Sequence, residues 1–270
     1  MKVAFQGEPG AFSEEACTGY NKSLETVPCE SFYGVFAAVT SGECEFGLIP
    51  IENSLAGSVH QNYDLLLQNE LYIVGEYYLR VRLCLVAFPG VAKLEINRVI
   101  SHPQALVQCA GFLRGMQVKA EPVYDTAGSI KMLMASGEHT IAAIASRRAA
   151  EIYGMQILQE GIEDNPENYT RFLAIAKSPV TPSGETKTSI VFILRNQPGA
   201  LFKALSVFAL REIDLTKIES RPLAGKPWEY LFYIDFIGAL DEDRVKKALD
   251  HLGEYALLLR ILGSYKRAKT

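Results

Sequence analysis

The chain has 270 residues, which is enough for two domains of ordinary size. Its formal net charge is −4 and it has no long basic run, which argues against nucleic acid or an anionic membrane as a partner. The hydrophobic share of 49% can supply a core to each domain, and an anionic ligand would have to be bound by local groups.

Strands and helices alternate over the first two thirds of the chain. Apolar β-branched runs predict the strands, and apolar residues at helical spacing predict the helices. Predicted strands cover residues 3–6, 46–49, 98–100, 117–123, 140–145 and 172–176, with a longer strand-rich stretch at 71–88; predicted helices cover 11–20, 32–40, 59–68, 104–114 and 126–135. This alternation predicts an α/β architecture in two lobes with a ligand cleft between them.

A composition change marks a domain boundary. Residues 177–184 contain Pro179, Pro182 and Gly184 among small polar residues, which is typical of a linker. We therefore predict a first domain at 1–178, with lobe one at about 1–78 plus 160–178 and lobe two at about 79–159, and a second domain at 187–270.

The second domain has a different pattern. Strands are predicted at 189–194, 213–218, 230–236 and 255–262, and helices at 200–210 and 241–252, the latter with Asp241 as its N-cap. The order βαββαβ is that of a ferredoxin-like domain.

Five segments of the first domain are each predicted to end a strand and open a helix with small polar residues. They are residues 7–13, 50–58, 101–105, 125–129 and 145–146. The N-terminus of a helix offers unpaired N–H groups and the positive end of the dipole, so several of them at one cleft would bind carboxylates. The alternative is that each segment only caps its own helix.

A polar group stands at the start of the apolar run 172–176. Asn168 and Thr170 offer neutral hydrogen bonds, and Arg171 offers a planar fork for a carboxylate. This grouping indicates a small anionic substrate whose reaction needs a positioned hydroxyl. The alternative is an ordinary strand edge.

Several other sites are not indicated. The first segment lacks the Lys-Ser/Thr pair of a phosphate-binding loop and the glycine spacing of a dinucleotide site, and Ser54 is not in a Gly-x-Ser-x-Gly elbow. Five cysteines without close pairing predict free thiols, and four scattered histidines predict no metal site. The first seven residues are too short an apolar run for a signal peptide, so a cytoplasmic protein without a membrane span is expected.

Taken together in order, these segments resemble prephenate dehydratase, and the second domain resembles the ACT regulatory domain of those enzymes. The matching strings are Gly7 with Gly10-Ala11-Phe12-Ser13, Pro50-Ile51-Glu52-Asn53-Ser54 with Gly57-Ser58-Val59, Ser101-His102-Pro103-Gln104-Ala105-Leu106, Asp125-Thr126-Ala127, Ala145-Ser146 and Thr170-Arg171-Phe172. In the second domain they are Asn196-Gln197-Pro198-Gly199-Ala200-Leu201 and Glu219-Ser220-Arg221-Pro222. The resemblance implies a periplasmic-binding-protein-like catalytic domain followed by the ACT domain.

The resemblance also implies a reaction: prephenate loses carbon dioxide and water and becomes phenylpyruvate. Aromatisation drives the reaction, so no cofactor is expected. Thr170 would assist departure of the hydroxyl, supported by Asn168 or Ser13, with Glu52 and His102 as rival acids. Arg171 would anchor the side-chain carboxylate. The other implied substrate-binding residues are Phe172, Asn53, Ser54, Gly57, Gln104, Thr126, Ala127 and Ser146.

Side-chain alternation along a strand sets a condition on this assignment. Neighbouring side chains point to opposite faces, so Asn168 and Thr170 share a face more readily than Thr170 and Arg171 do. Both Thr170 and Arg171 could enter one cleft only at an irregular end of the strand.

L-Phenylalanine is the expected effector. The resemblance places it on Asn196, Pro198, Gly199, Ala200, Leu201, Glu219, Ser220, Arg221 and Pro222, with self-association of the ACT domain into a dimer or tetramer. Two alternatives stay open: an arogenate dehydratase, which runs the same chemistry on an amine analogue, and a two-lobed amino-acid sensor without catalysis.

Overall fold

The structure is a computed structural model that describes residues 1–123, 128–223, 225–226 and 229–269. Its contacts divide the chain into two compact units, Met1–Asn62 with Tyr77–Phe172, and Tyr63–Glu76 with Leu173–Thr270. Residues 63–76, which the sequence assigns to lobe one, therefore group with the C-terminal part of the chain. The predicted domain and lobe boundaries stay predictions.

The described residues form strands and helices throughout both units. In chain order they are β1 (Lys2–Gln6), α1 (Phe12–Tyr20), β2 (Glu25–Cys29), α2 (Phe32–Ser41), β3 (Phe46–Asn53), β4 (Gly57–Ser58), α3 (His60–Gln68), β5 (Tyr72–Arg80), β6 (Cys84–Ala87), β7 (Arg98–Ser101), α4 (Pro103–Gln108), α5 (Ala110–Met116), β8 (Lys119–Pro122), α6 (Gly128–Ser136), β9 (Ile141–Ala145), α7 (Arg147–Ile152), β10 (Gln156–Glu160), β11 (Tyr169–Ala176), β12 (Thr186–Leu194), α8 (Ala200–Ala209), β13 (Leu215–Pro222), β14 (Tyr230–Ile237), α9 (Asp243–Tyr255) and β15 (Ala256–Lys266).

Three sheets organise these elements. The first has the order β2-β1-β3-β11-β5 with β4 paired to β3, and the second has the order β10-β6-β9-β7-β8. Strand β1 is parallel to both of its neighbours, and β7 is parallel to β8 and β9. The third sheet, β13-β14-β12-β15, is antiparallel and belongs to a βαββαβ unit. The predicted fold class is confirmed.

Strand β9 of the second sheet is covered by apolar side chains on both faces. All five of its residues are buried. Ala142 and Ile144 pack in one apolar cluster, whereas Ile141, Ala143 and Ala145 pack in another. Side chains alternate across a strand, so a strand covered on both faces reads as a continuous apolar run.

The third sheet is covered differently on its two faces. Helices α8 and α9 pack against Ile190, Phe192, Ile234 and Phe236 on one face. On the other face the Tyr233 hydroxyl donates to the Tyr63 carbonyl at 2.7 Å. The Lys187 ammonium also lies 2.8 Å from the Glu76 carboxylate, and both side chains are buried. Residues 63–76 therefore close the second face of this sheet.

Some predicted boundaries are wrong. The helix predicted at 104–114 is two helices, because the chain breaks at Cys109 (φ −114°, ψ 18°). Helix α9 begins at Asp243 with Glu242, not Asp241, as the N-cap residue, and the Glu242 carboxylate accepts the Ala239 N–H at 2.7 Å. None of the described helices combines the length and the apolar character needed to cross a bilayer.

The cysteines are free thiols. Four are buried, and Cys29 is partly exposed. Burial raises the pKa of Cys17 to about 12. The same cause raises the pKa of Cys84 to about 12. These two thiols are therefore protonated and unreactive at neutral pH.

Candidate active site

A cavity of about 470 Å³ lies within the first unit. This volume is in the range of roughly 300–1,000 Å³ that is usual for small-molecule sites. Its lining is contributed by the start of α1, the β3–β4 hairpin, the segment after β5, α4 and the start of β11: Phe12, Ser13, Pro50, Asn53, Ala56, Gly57, Ser58, Val59, Val81, Leu83, His102, Gln104, Ala105, Gln108, Asn168, Thr170 and Phe172.

Seven of the predicted site residues meet at this cavity, namely Ser13, Asn53, Gly57, Gln104, Asn168, Thr170 and Phe172. Ser54, Arg171 and Ser146 are not part of its lining. Thr126 and Ala127 lie outside the described residues.

Asn53 is the centre of the polar network in the cavity. Its Oδ1 accepts the backbone N–H groups of Leu55 at 3.0 Å and Ala56 at 2.9 Å. Because a backbone N–H can only donate, these two bonds fix which end of the amide is oxygen. The amide nitrogen must then face the opposite way, toward β11.

The Asn53 amide nitrogen donates to Asn168 Oδ1 at 2.8 Å and to Thr170 Oγ1 at 3.0 Å. The Thr170 oxygen therefore accepts a hydrogen bond, which leaves its own proton available to a molecule in the cavity. Asn168 is fully buried, and its amide nitrogen donates to Gln108 Oε1 at 3.2 Å. Each group in this chain accepts from one neighbour and donates to the next, from the β3–β4 turn through Asn53 to Thr170. A branch runs from Asn53 through Asn168 to Gln108 on α4.

Arg171 is not among the described lining residues, and its role as a carboxylate anchor stays a prediction. Thr170 and Phe172 line the cavity, so the side chain between them points to the opposite face of β11. Arg171 is 3% exposed, and its Nη1 lies 3.6 Å from Glu52 Oε1. Glu52, a rival acid, is likewise outside the cavity lining and faces this guanidinium. This ion pair links β3 to β11.

Ser54 and Ser146 also have structural contacts. Ser54 Oγ donates to the Glu167 carbonyl at 2.7 Å and accepts the Tyr169 N–H at 2.9 Å, which fixes the start of β11. Ser146 is 1% exposed; its Oγ caps α7 through the Ala149 N–H at 2.9 Å and donates to the Gly10 carbonyl at 2.6 Å. Neither hydroxyl is directed at the cavity.

The five predicted strand–helix segments do not all open helices. The first, third and fifth lead into α1, α4 and α7. The segment 50–58 is instead the β3–β4 hairpin, where Glu52 pairs with Ser58 and Asn53 pairs with Gly57. Gly57 has φ +82°, a conformation that glycine adopts without strain, and this allows the tight turn beneath the cavity. The fourth segment begins in the undescribed residues 124–127.

His102 caps a helix and also borders the cavity. Its Nδ1 accepts the Gln104 N–H at 3.2 Å at the start of α4, so the proton of the neutral ring sits on Nε2. The His102 ring remains part of the cavity lining. Gln108, which the sequence analysis missed, lies one helical turn beyond Gln104 and shares its face, and that spacing was the available signal.

No described lining residue is Asp, Glu, Lys or Arg. Carboxylates of a bound molecule would meet amide and hydroxyl groups on the described part of this lining. Removing a charge from water without a counter-charge is costly, so such a cavity destabilises an ionised carboxylate that lacks good hydrogen bonds. Among the described residues, no three His, Cys, Asp or Glu side chains group as possible metal ligands.

Comparisons with known proteins agree with this geometry. The family model for prephenate dehydratase matches residues 3–180, and that for the ACT domain matches residues 188–254. The chain belongs to the prephenate dehydratase family.

Relatives of this family cover nearly the whole chain. The chain is 48% identical to arogenate dehydratase/prephenate dehydratase 2, chloroplastic, of Arabidopsis thaliana over 98% of its own length and 72% of that protein. A solved structure described as GqqA, a novel type of quorum quenching acylase, has a TM-score of 0.93 and 35% identity over 99% of this chain and 98% of that one. The prephenate dehydratase of Arthrobacter aurescens in complex with L-Phe has a TM-score of 0.91 and 33% identity over 99% of this chain and 90% of that one.

The ACT domain has a second, smaller cavity of about 130 Å³. It is lined by Leu194, Arg195, Asn196, Gln197, Ala200, Leu201, Tyr230 and Phe232. Of the predicted effector residues, Asn196, Ala200 and Leu201 line it directly, and Ser220 is paired in register with the lining residue Phe232. Pro198, Gly199, Glu219, Arg221 and Pro222 are not part of the lining. The effector role and self-association of the ACT domain stay predictions.

Proposed function

We propose that the protein converts prephenate to phenylpyruvate by loss of carbon dioxide and water, with L-phenylalanine as its feedback inhibitor. The single observation that carries the proposal is the direction of the hydrogen bonds around Thr170: Asn53 donates to its oxygen at 3.0 Å and leaves its proton for the substrate. The family model and the L-Phe complex of a relative support the same reaction class and effector.

The chemistry uses groups that the cavity contains. As the ring C–C bond to the carboxylate breaks, its electron pair enters the ring, and the C–O bond of the ring hydroxyl breaks. The departing oxygen takes a proton through Thr170, which recovers one from solvent, so one proton is consumed per turnover. The Asn53 N–H stabilises the negative charge that develops on the Thr170 oxygen during this transfer.

The uncharged lining assists the other half of the reaction. A ring carboxylate held without a cation is less stable than in water, whereas carbon dioxide is neutral and loses nothing by leaving water. This supports a decarboxylation in which the protein supplies position and environment while aromatisation supplies the driving force.

Arogenate is the second candidate substrate. The specific observation that favours it is the 48% identity, over 98% of this chain, to a plant protein named as both an arogenate and a prephenate dehydratase. Arogenate carries an ammonium in place of the keto group, so its net charge is one unit less negative. Its transfer into an uncharged cavity is correspondingly easier.

The deciding experiment offers each substrate to the purified full chain and measures carbon dioxide release and the aromatic product. We expect phenylpyruvate from prephenate, and phenylalanine from arogenate if that substrate is also accepted. A higher kcat/KM for arogenate would make this an arogenate dehydratase. Absence of both products from a folded sample would overturn the proposal and favour a sensor. Acylase activity, named for one structural relative, is measured in the same preparation as a third arm.

A further inference from the structure

Strand β13 presents two different surfaces within the second unit. Ser220 pairs in register with Phe232, a lining residue of the small ACT cavity. Arg221, the next residue, points to the opposite face because side chains alternate along a strand. One strand therefore borders the expected effector site on one face and contacts residues 63–76 on the other.

The contacts on that other face are polar and specific. Arg221 Nη2 donates to Asp64 Oδ2 at 2.7 Å, and the Tyr233 hydroxyl donates to the Tyr63 carbonyl at 2.7 Å. The Tyr63 and Tyr233 rings pack at 4.8 Å between centroids. The Arg221 guanidinium is mostly buried, and its Nε has no hydrogen-bond partner among the described residues, so Asp64 is its principal anion.

Helix α3 connects these contacts to the larger cavity of the first unit. Tyr63 and Asp64 lie in its first half, and the helix begins at His60. The three residues before it, Gly57, Ser58 and Val59, line the catalytic cavity. A helix is stiff over this distance, so a change at Asp64 is felt at the residues that precede the helix.

We propose that the Arg221–Asp64 ion pair and the Tyr233–Tyr63 hydrogen bond couple L-phenylalanine binding in the ACT domain to the catalytic cavity through α3. The inference rests on the proposed function and names its regulation. L-Phenylalanine shifts β13, β13 displaces the Asp64 end of α3, and the β4–α3 junction changes the cavity wall. Coupling requires that the effector favour one of two arrangements, and these bonds are where the arrangements differ.

The test compares acid-to-amide variants of the full-length chain. Asp64→Asn removes the anion that faces Arg221, and Tyr233→Phe removes the second bond. Glu185→Gln is the matched control, because Glu185 pairs with Arg267 at 2.5 Å in the same unit without contacting α3. The readouts are residual turnover at saturating L-phenylalanine, calorimetric binding of L-phenylalanine, and amide hydrogen exchange of residues 60–68 with and without it.

In wild type and Glu185→Gln we expect L-phenylalanine to alter exchange in α3 and to leave only a small, measurable residual turnover at saturation. In Asp64→Asn the exchange response should disappear, and residual turnover at saturation should rise by roughly 3- to 30-fold, the range of known coupling changes. Calorimetry should still show binding, and turnover without effector should stay within about twofold of wild type, since a partly exposed ion pair adds little to stability.

Three results would overturn the coupling: wild-type inhibition and exchange in both Asp64→Asn and Tyr233→Phe, an α3 in wild type that does not respond to bound L-phenylalanine, or no binding of L-phenylalanine. Failure of the proposed function is distinguishable. It would appear as no turnover of prephenate or arogenate, and the exchange and binding measurements would still decide the coupling.

Discussion

At the scale of residues, the orientation of the Asn53 amide determines that the Thr170 oxygen accepts a hydrogen bond. Asn53 Oδ1 is occupied by two backbone N–H groups, so its nitrogen must donate to Thr170. A hydroxyl that accepts in this way is prepared to give its own proton to a ligand. Threonine is a weak acid in water. Here its oxygen accepts from Asn53, so its single proton can be donated to a ligand in the cavity.

Thr170→Ala is expected to lower turnover by roughly 10²–10⁴, the usual effect of losing a proton-transfer group. Thr170→Ser keeps the hydroxyl and should retain much of the activity. Steady-state kinetics on both variants, with circular dichroism to verify folding, checks this. A folded alanine variant with normal turnover would contradict this role and favour one of the rival acids, Glu52 or His102.

Asn53→Asp tests the direction of the hydrogen bonds, not the mere presence of a polar group. The introduced carboxylate still accepts the Leu55 and Ala56 N–H groups but cannot donate to Thr170. The Thr170 hydroxyl would then donate its hydrogen bond to that carboxylate and not to the substrate. In steady-state kinetics we expect kcat to fall by roughly 10²–10³ with little change in folding.

Asn165→Asp is the control for that variant. Asn165 Oδ1 also accepts a backbone N–H, that of Glu167 at 2.9 Å, on an exposed loop that does not line the cavity. Turnover in Asn165→Asp should stay near wild type. Equal losses in the two variants would mean that added charge, and not the lost donor, is responsible.

The sequence identified most of the polar residues at the cavity, whereas Arg171 lies outside the described lining. Asn168 and Thr170 share a face with Phe172 because strands alternate, and the same rule places Arg171 on the far side against Glu52. The rule was available from the sequence; what was not available was that β11 is regular from Tyr169 onward, which depends on pairing with β3. Gln108 was missed although it lies one helical turn beyond Gln104, because the sequence does not show which face of α4 meets the cavity.

Short elements at the scale of helices and strands hold the cavity wall in place. Gly10 has φ +90°, and a Cβ there would lie 2.6 Å from Ala149 Cα, so the loop before α1 packs directly on α7. Ser146 joins the same two elements through its hydrogen bonds to Gly10 and Ala149. This contact fixes where α1 starts, and with it Ser13.

Ser146→Ala should reduce stability by roughly 1–3 kcal/mol, because a helix cap is lost and a buried carbonyl loses its donor. At roughly 2–4 °C per kcal/mol for a protein of this size, the thermal midpoint should fall by several degrees. Ser31→Ala is the comparison: Ser31 caps α2 through Gly34 N–H at 3.2 Å but lies on the surface. A midpoint shift in Ser146→Ala no larger than in Ser31→Ala would contradict a linking role.

Long amphipathic or apolar elements were predictable, and short ones were not. Strand β2 contains Pro28 and stands at the sheet edge, where proline is tolerated but weakens the sequence signal. Helix α7 has six residues, too few to show a period. The break between α4 and α5 has no glycine or proline; there the Asp164 carboxylate accepts the Gly111 N–H and the Asp164 N–H donates to the Gln108 carbonyl.

At the scale of the whole molecule, residues 63–76 depend on the C-terminal part of the chain for their packing, although the linker at 177–184 suggests two separable domains. Glu76 is buried with Lys187, and the Arg260 guanidinium donates to the carbonyls of Leu67 and Asn69 at 3.0 and 2.5 Å. Residues 63–76 thus complete their contacts only with residues 173–270.

A fragment that ends at Ser178 is therefore expected to be insensitive to L-phenylalanine and also less stable than the full chain. Removal of residues 179–270 exposes to water the side of residues 63–76 that they cover, so the apolar burial at that contact is lost. Calorimetric melting of fragment and full chain checks this, with dehydratase turnover measured below the fragment's midpoint. Identical midpoints for the two would contradict the expectation.

The long sequence separation of these contacts has a consequence for synthesis on the ribosome. Lys187 follows Glu76 by 111 residues, and Arg260 follows Leu67 by 193 residues. At translation rates of roughly 5–20 residues per second, the residues that cover helix α3 and strand β5 are synthesised roughly 5–40 seconds after them. During that interval the nascent chain exposes a surface suited to chaperones and proteases. A copy whose synthesis stops early would lack both the proposed effector site and the cover of this surface, so degradation is expected to remove such copies first.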